Sequence, residues 1–205
     1  AFTSQLAAFY LLTLSLARLH DMSHHEGQRF LAELRAIPEA VRACLERRDA
    51  IQASAKRYAR YRDFLFLGRG LRYPIALEGA LKLKEISYIH AEGYASGEIK
   101  HGPIALVSPE TPSVFLVSND HLREKTISNI REIKARGGPV IALAQEGDDE
   151  VAGLADEFIP VPTVGSRFQP FVMVPPLQLL SYFCALELGR NVDQPRNLAK
   201  SVTVE

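Results

Sequence analysis

The chain has 205 residues, 47 % of them hydrophobic and 23 % charged, the composition of an ordinary globular protein. Lys+Arg and Asp+Glu both number 24, which excludes the broad basic field of a nucleic-acid binder and the acidic bias of a solvating tail. Two cysteines, Cys44 and Cys184, exclude a disulfide framework and fit neither a Cys-x-x-Cys nor a zinc spacing, which points to a reducing cytoplasm.

The first residues, Ala1 to Gln5, lack the basic segment of a signal peptide. The chain also starts without Met, as a processed chain or a fragment does. Leu6 to Leu19 is apolar but shorter than the ~20 residues that span a bilayer. It reads as a buried helix capped near Thr3 or Ser4. Next come His20, His24, His25 and Glu26. Two histidines four apart can share a metal on a helix, but His-Glu-x-x-His is not completed, so a polar connection between helices is the plainer reading and no metal is expected. From about Gln28 to Arg60 apolar residues recur at helical spacing, at Phe30, Leu31, Leu34, Ile37, Val41, Cys44 and Leu45. Pro38 is expected to divide this region into two helices. Their Arg- and Glu-rich outer faces read as solvated.

The pattern then changes. Phe64 to Leu67 is a short apolar run ending at Gly68-Arg69-Gly70, as a buried parallel strand entering a tight turn does. Pro74 suits a first helical turn, and a helix is predicted over Ile75–Ala91. Val114–Val117, Val140–Ala144 and Phe158–Val161 are further strands. Glu124–Arg136 is a helix closed by Gly137-Gly138, and Gln169–Leu188 a long apolar helix. This alternation predicts an α/β fold, a doubly wound, mostly parallel sheet flanked by helices, preceded by N-terminal helices.

Open sheets of this kind bind ligands beyond the carboxyl ends of their strands. At Gly68-Arg69-Gly70 the backbone N–H groups could hold a phosphate, or simply turn the chain into the next helix. In the helix that follows, Glu78, Lys82 and Glu85 fall within ~60° of one another at ~100° per residue. A lysine between two carboxylates can hold one of them ionised, as a base must be, or the three can form a surface ladder. Glu92 to Pro103 reads as a Gly-rich loop. Within it, His101 is either a mobile proton-exchanging group or an ordinary surface histidine. The polar tail, Asp193 to Glu205, either frays or folds over a site with Lys200 as its reactive amine.

Three stretches together, Glu78 to Glu92, Gly97 to Pro103 and Asp193 to Glu205, resemble the isomerase part of the glucosamine-6-phosphate synthase family, which is built from sugar isomerase (SIS) subdomains. The resemblance covers essentially the whole chain and implies the following. Residues 1–60 would link to a first SIS subdomain outside this sequence, 61–189 would form the second SIS domain, and 190–205 an active-site tail. Glu85 would move a proton between C1 and C2 of the sugar. His101, supplied from the neighbouring subunit of a homodimer, would open the sugar ring. Lys200 would meet the open-chain carbonyl, and Lys82 would act beside the base. The Ala199 backbone would contact substrate, with Glu78 and Arg196 in the same site. The family makes glucosamine 6-phosphate and glutamate from fructose 6-phosphate and glutamine, with a glutaminase domain in the full chain and without a cofactor. Its phosphate-binding Ser/Thr loop lies in the first subdomain, so this piece alone is expected to be inactive. No nucleic acid, membrane or metal enters this expectation. Two other readings remain open: a non-catalytic phosphosugar-binding SIS module, and a free-standing sugar-phosphate isomerase.

Overall fold

A computed structural model of the protein describes residues 1–198. Five strands form one wholly parallel sheet: β1 (Asp63–Gly68), β2 (His90–Ala95), β3 (Ser113–Leu116), β4 (Val140–Gln145) and β5 (Glu157–Val161). Their spatial order is β2-β1-β3-β4-β5. The helices are α1 (Phe2–Leu19), α2 (His24–Glu46), α3 (Arg48–Tyr58), α4 (Tyr73–Ser87), α5 (Arg123–Lys134), α6 (Asp149–Leu154) and α7 (Gln169–Glu187).

Alternate strand residues feed opposite faces, as a period of two requires. Phe64, Phe66, Val114, Leu116, Ile141 and Leu143 join a core shared with α3, α4 and α7. Leu67, Phe115, Val117, Ala142 and Ala144 join a second core beneath α5 and α6. Both faces are therefore buried, which is why these strands are continuous apolar runs. The doubly wound, helix-flanked sheet is as expected, and every strand is parallel.

Several local expectations are corrected. α1 is not a buried helix. Only Leu14 is buried, while Phe9, Leu11, Leu12, Leu16 and Leu19 are exposed. It packs by a single stripe, Leu6, Tyr10 and Leu14, against α2 and the start of α7. Thr3 and Ser4 lie inside its first turn, and no side chain caps it. Pro38 does not divide the second helical region. α2 runs through it, and the break comes at Arg47. The ring of Pro38 faces solvent, whereas Phe30, Ile37 and Cys44 anchor the opposite face on both sides of it. That continuous packing holds the helix together despite one missing N–H. The histidine-rich connection ends in a capping box. Ser23 Oγ accepts from the Glu26 amide at 3.2 Å, and Glu26 Oε2 accepts from the Ser23 amide at 2.8 Å. Among the described residues no group of three His, Cys, Asp or Glu is placed to hold a metal ion. No described helix is long and apolar enough to cross a membrane.

The largest correction falls between residues 88 and 106. α4 stops at Ser87 rather than Ala91, because Tyr88 takes a left-handed conformation, φ 66°. Ser87 Oγ donates to the Leu83 carbonyl at 2.6 Å and accepts from the Ile89 amide at 3.2 Å, which consolidates that end. The segment read as a loop is the edge strand β2, followed by 3-10 turns over Ser96–His101 and Pro103–Leu106. An edge strand is buried on fewer sides, so Glu92 and Gly93 sit in it without an apolar run to mark it.

Candidate functional site

The sheet order reverses between β1 and β3, so the ligand crevice typical of such sheets lies above the carboxyl ends of those two strands. Here that crevice is filled from within. A side chain added at Gly68 would lie 2.2 Å from the Arg72 carbonyl oxygen, so the turn requires glycine. Gly70 adopts φ 57° and opens a 3-10 turn that carries Arg72 into the crevice, where it is 1 % exposed. Arg72 donates from Nη1 to Asp120 at 2.8 Å, from Nη2 to the Ser166 carbonyl at 2.9 Å, and from Nε to Gln169 Oε1 at 3.1 Å. Burial pushes the Asp120 carboxyl up. The Leu122 amide and the Arg72 guanidinium more than offset this and hold it below the usual range. Gly68-Arg69-Gly70 is thus a strand-to-helix turn beside which a buried arginine is already engaged by the protein's own carboxylate, that of Asp120.

The titratable cluster of α4 lies elsewhere. α4 leaves the carboxyl end of β1 and runs back, so its last turns sit toward the amino ends of the strands. Glu78, Lys82 and Glu85 do share one face of it. Lys82 Nζ donates to Glu85 Oε2, with roughly a third of each side chain exposed. Glu78 is buried, its Oε1 meets no donor, and burial pushes its pKa up against the pull of the Lys82 ammonium. Glu85 therefore has a fixed cationic neighbour and an open side, the combination a proton-accepting carboxylate needs.

That open side is a groove of about 490 Å³ lined by Leu81, Lys84, Glu85 and Tyr88 from α4 and its end, and by Arg196 to Leu198 from the tail. Lys82 borders a second, more apolar groove that includes Ile86, Gln178 and Tyr182. The tail is tied down at Tyr88. The Arg196 amide donates to Tyr88 Oη at 2.8 Å, and the Arg196 guanidinium carbon lies 4.2 Å from the ring centroid.

Of the residues singled out from sequence, Lys82, Glu85 and Arg196 are thus brought to the C-terminal end of α4, with Glu78 buried on the same face in its second turn. His101 is not. It follows the carboxyl end of β2, whereas Glu85 precedes its amino end, and six residues at ~3.3 Å each put on the order of 20 Å between them. His101 is exposed, with Nδ1 2.7 Å from Glu98 Oε2. Ala199 and Lys200 lie outside the described residues. Tyr88 and Asn197 were not singled out. The only sequence signal for Tyr88 was its place inside the Glu78 to Glu92 stretch. Both cysteines are buried free thiols. Burial pushes Cys44 up to about 11 and Cys184 up to about 12, the reverse of what a thiolate nucleophile needs.

A family model described as the SIS domain matches residues 58–188. The glutamine–fructose-6-phosphate aminotransferase (isomerising) of Thermus thermophilus is 54 % identical over 206 residues, covering all of this chain and 34 % of that protein. The chain spans about a third of the length of the curated relatives it matches. Among solved structures, the C-terminal domain of glucosamine-fructose-6-phosphate aminotransferase from Francisella tularensis superposes with a TM-score of 0.90 at 42 % identity. The match covers 94 % of this chain and 55 % of that one. A glucosamine-6-phosphate deaminase from Thermotoga maritima superposes at 0.68 with 26 % identity, over 97 % of this chain and 57 % of its own.

Proposed function

The chain belongs to the SIS domain family, and from that premise we propose that it is the second sugar isomerase subdomain of an enzyme converting fructose 6-phosphate and glutamine to glucosamine 6-phosphate and glutamate. The observation that carries this reading is the Glu85 carboxylate, paired with Lys82, lining the groove that Arg196 to Leu198 border on the other side. Glu85 accepts a proton from one of C1 and C2 of the open-chain sugar and returns it to the other. Between the two events the C–H electron pair forms the C1–C2 double bond as the carbonyl π pair moves onto its oxygen, which takes a proton. The neighbouring hydroxyl gives up its proton as the new carbonyl forms, and the double-bond pair takes the proton returned by Glu85. Lys82 fixes the carboxylate and faces the sugar oxygens. Lys200, two residues beyond Leu198, supplies the amine that condenses with the sugar carbonyl and releases water. The Ala199 backbone and Arg196 border the substrate, and Glu78 supports the cluster from beneath.

The separation of His101 from Glu85 favours a shared site. In a homodimer the His101 of one subunit would serve the Glu85 of the other. The filled crevice above β1 and β3 favours a phosphate site outside this chain, in a first SIS subdomain, with a glutaminase domain further upstream. A cytoplasmic setting suits both the free thiols and this chemistry.

The test is interconversion of fructose 6-phosphate and glucose 6-phosphate by the chain joined to such an upstream region. Glu85→Gln is expected to lower turnover about 10³-fold. Undiminished turnover in that variant would remove Glu85 from the reaction. The 205 residues alone are expected to be inactive, and turnover by them would show a phosphate site within the chain.

A further inference from the structure

The end of α4 carries a contact that the reaction itself does not require. Among the described residues only two that are not glycine have a positive φ, Tyr88 at 66° and Asn197 at 62°. They lie in one place. Both line the groove that holds Glu85. Asn tolerates this conformation, whereas a tyrosine takes it at a steric cost that the surrounding structure has to offset. Tyr88 is also gripped by the tail more than once. Its phenol oxygen accepts from the Arg196 amide at 2.8 Å. Its ring lies under the Arg196 guanidinium at 4.2 Å and near the Arg190 guanidinium at 5.3 Å. Both guanidinium groups thus converge on this one ring.

We infer that Tyr88 is a positioning residue: a post at the end of α4 around which the segment Arg190–Leu198 is clamped, so that the tail enters the site beside Glu85 in one register. Three features converge on this. Glu85 and Tyr88 are three residues apart across the helix end, so whatever fixes the tail on Tyr88 fixes it relative to the carboxylate. The left-handed turn at Tyr88 ends the helix there and aims the ring at the tail, where a continued helix would turn it elsewhere. The left-handed Asn197 redirects the tail immediately after the clamped Arg196. The catalytic consequence rests on the isomerase reading above. The clamp itself does not.

The experiment is site-resolved amide hydrogen exchange on the 205-residue chain, with Tyr88→Phe and Tyr88→Leu. Removing the phenol oxygen is expected to speed exchange at Arg196 about fivefold. Removing the ring as well should speed exchange across Arg190–Leu198 at least about tenfold. Amides of β1 and β3 should stay unchanged in both. Tail exchange identical to the parent in both variants would overturn the clamp. Tyr88→Phe deletes one atom and keeps the packing, so it decides the matter even where Tyr88→Leu disturbs the fold. In the isomerase assay with the upstream region present, kcat should fall in the order parent, Phe, Leu, in step with tail exchange and not with the thermal midpoint. Losses that follow the midpoint would make Tyr88 merely structural. An inactive parent would sink the isomerase reading and leave the exchange result standing.

Discussion

The two ends of α4 carry similar polar residues in opposite circumstances. Just before its first turn, Arg72 is fully buried and each of its three nitrogens donates to Asp120, Gln169 or Ser166. Further along one face of it, buried Glu78 has an oxygen without a donor and Lys82 and Glu85 are partly exposed, and at its end Tyr88 is held in a left-handed conformation. Polar groups that consume one another make a strut, because no capacity remains for a ligand. Groups left partly unmatched beside open space keep that capacity, and they bear a local cost in stability for it. The place where such sheets usually bind ligands is here the strut, and the proposed site lies toward the far end of one helix.

The largest expected effect comes from breaking the strut. Arg72→Met removes the guanidinium from the half-buried Asp120 carboxylate and from buried Gln169 Oε1, leaving them only the Leu122 and Asn119 amides. It should cost about 3–5 kcal/mol in urea unfolding, the usual cost of orphaning one partner of a buried pair. Replacing Asp120 by Leu in the same chain should recover much of that loss, since the stranded charge goes with it. A loss below about 1 kcal/mol in the single variant would mean that Arg72 is not integral to the fold, and that its crevice is free to take a ligand after all.

The same contrast explains what could be read in the amino-acid sequence. β1, β3 and β4 are buried on both faces, so their burial is written as unbroken apolar runs. Glu78, Lys82 and Glu85 were legible together because helical spacing is local and α4 does form there. β2 was not, because an edge strand with Glu92 and Gly93 at its centre has no such run. Pro38 misled because its cost is local while the packing that overrides it, through Phe30, Ile37 and Cys44 against α7, is tertiary. The fate of Gly68-Arg69-Gly70 depended on an aspartate and a glutamine 48 and 97 residues away from Arg72. Tyr88 escaped notice for the same reason. Its left-handed backbone and its two arginines are set by the fold, and neither has a sequence signature as a glycine there would.

An intermediate effect tests the other end. The Lys82–Glu85 pair is partly exposed and three residues apart on one helix, a geometry worth below about 1 kcal/mol. Glu85→Gln should therefore leave the unfolding free energy within that range while turnover collapses. A loss like that of Arg72→Met would place Glu85 in the strut class and weaken its claim to chemistry.

The smallest effect is the most diagnostic in sign. Glu78 is a buried carboxyl whose pKa lies above its ordinary 4.5, chiefly through burial, with Glu85 adding to the rise and Lys82 and Gln178 opposing it. A carboxyl with a raised pKa holds its proton more tightly folded than unfolded. Its favourable contribution is complete below the unfolded value and disappears as pH climbs through the folded one. Ionising Glu78 therefore costs the folded chain more than the unfolded one. Glu78→Gln, which keeps the shape and discards the charge, should raise the thermal midpoint at pH 7.5 by about 1–2 °C. The advantage should shrink as pH falls toward 4.5, since the parent regains its neutral carboxyl while the variant has nothing there to titrate. The measurement is the difference between the two melting curves across that range, in which the other carboxyls cancel. A variant less stable at pH 7.5, with the gap closing in acid, would reverse the sign. Glu78 would then be a satisfied anion held by Lys82, and the Glu78–Lys82–Glu85 face would differ from the Arg72 strut only in its exposure.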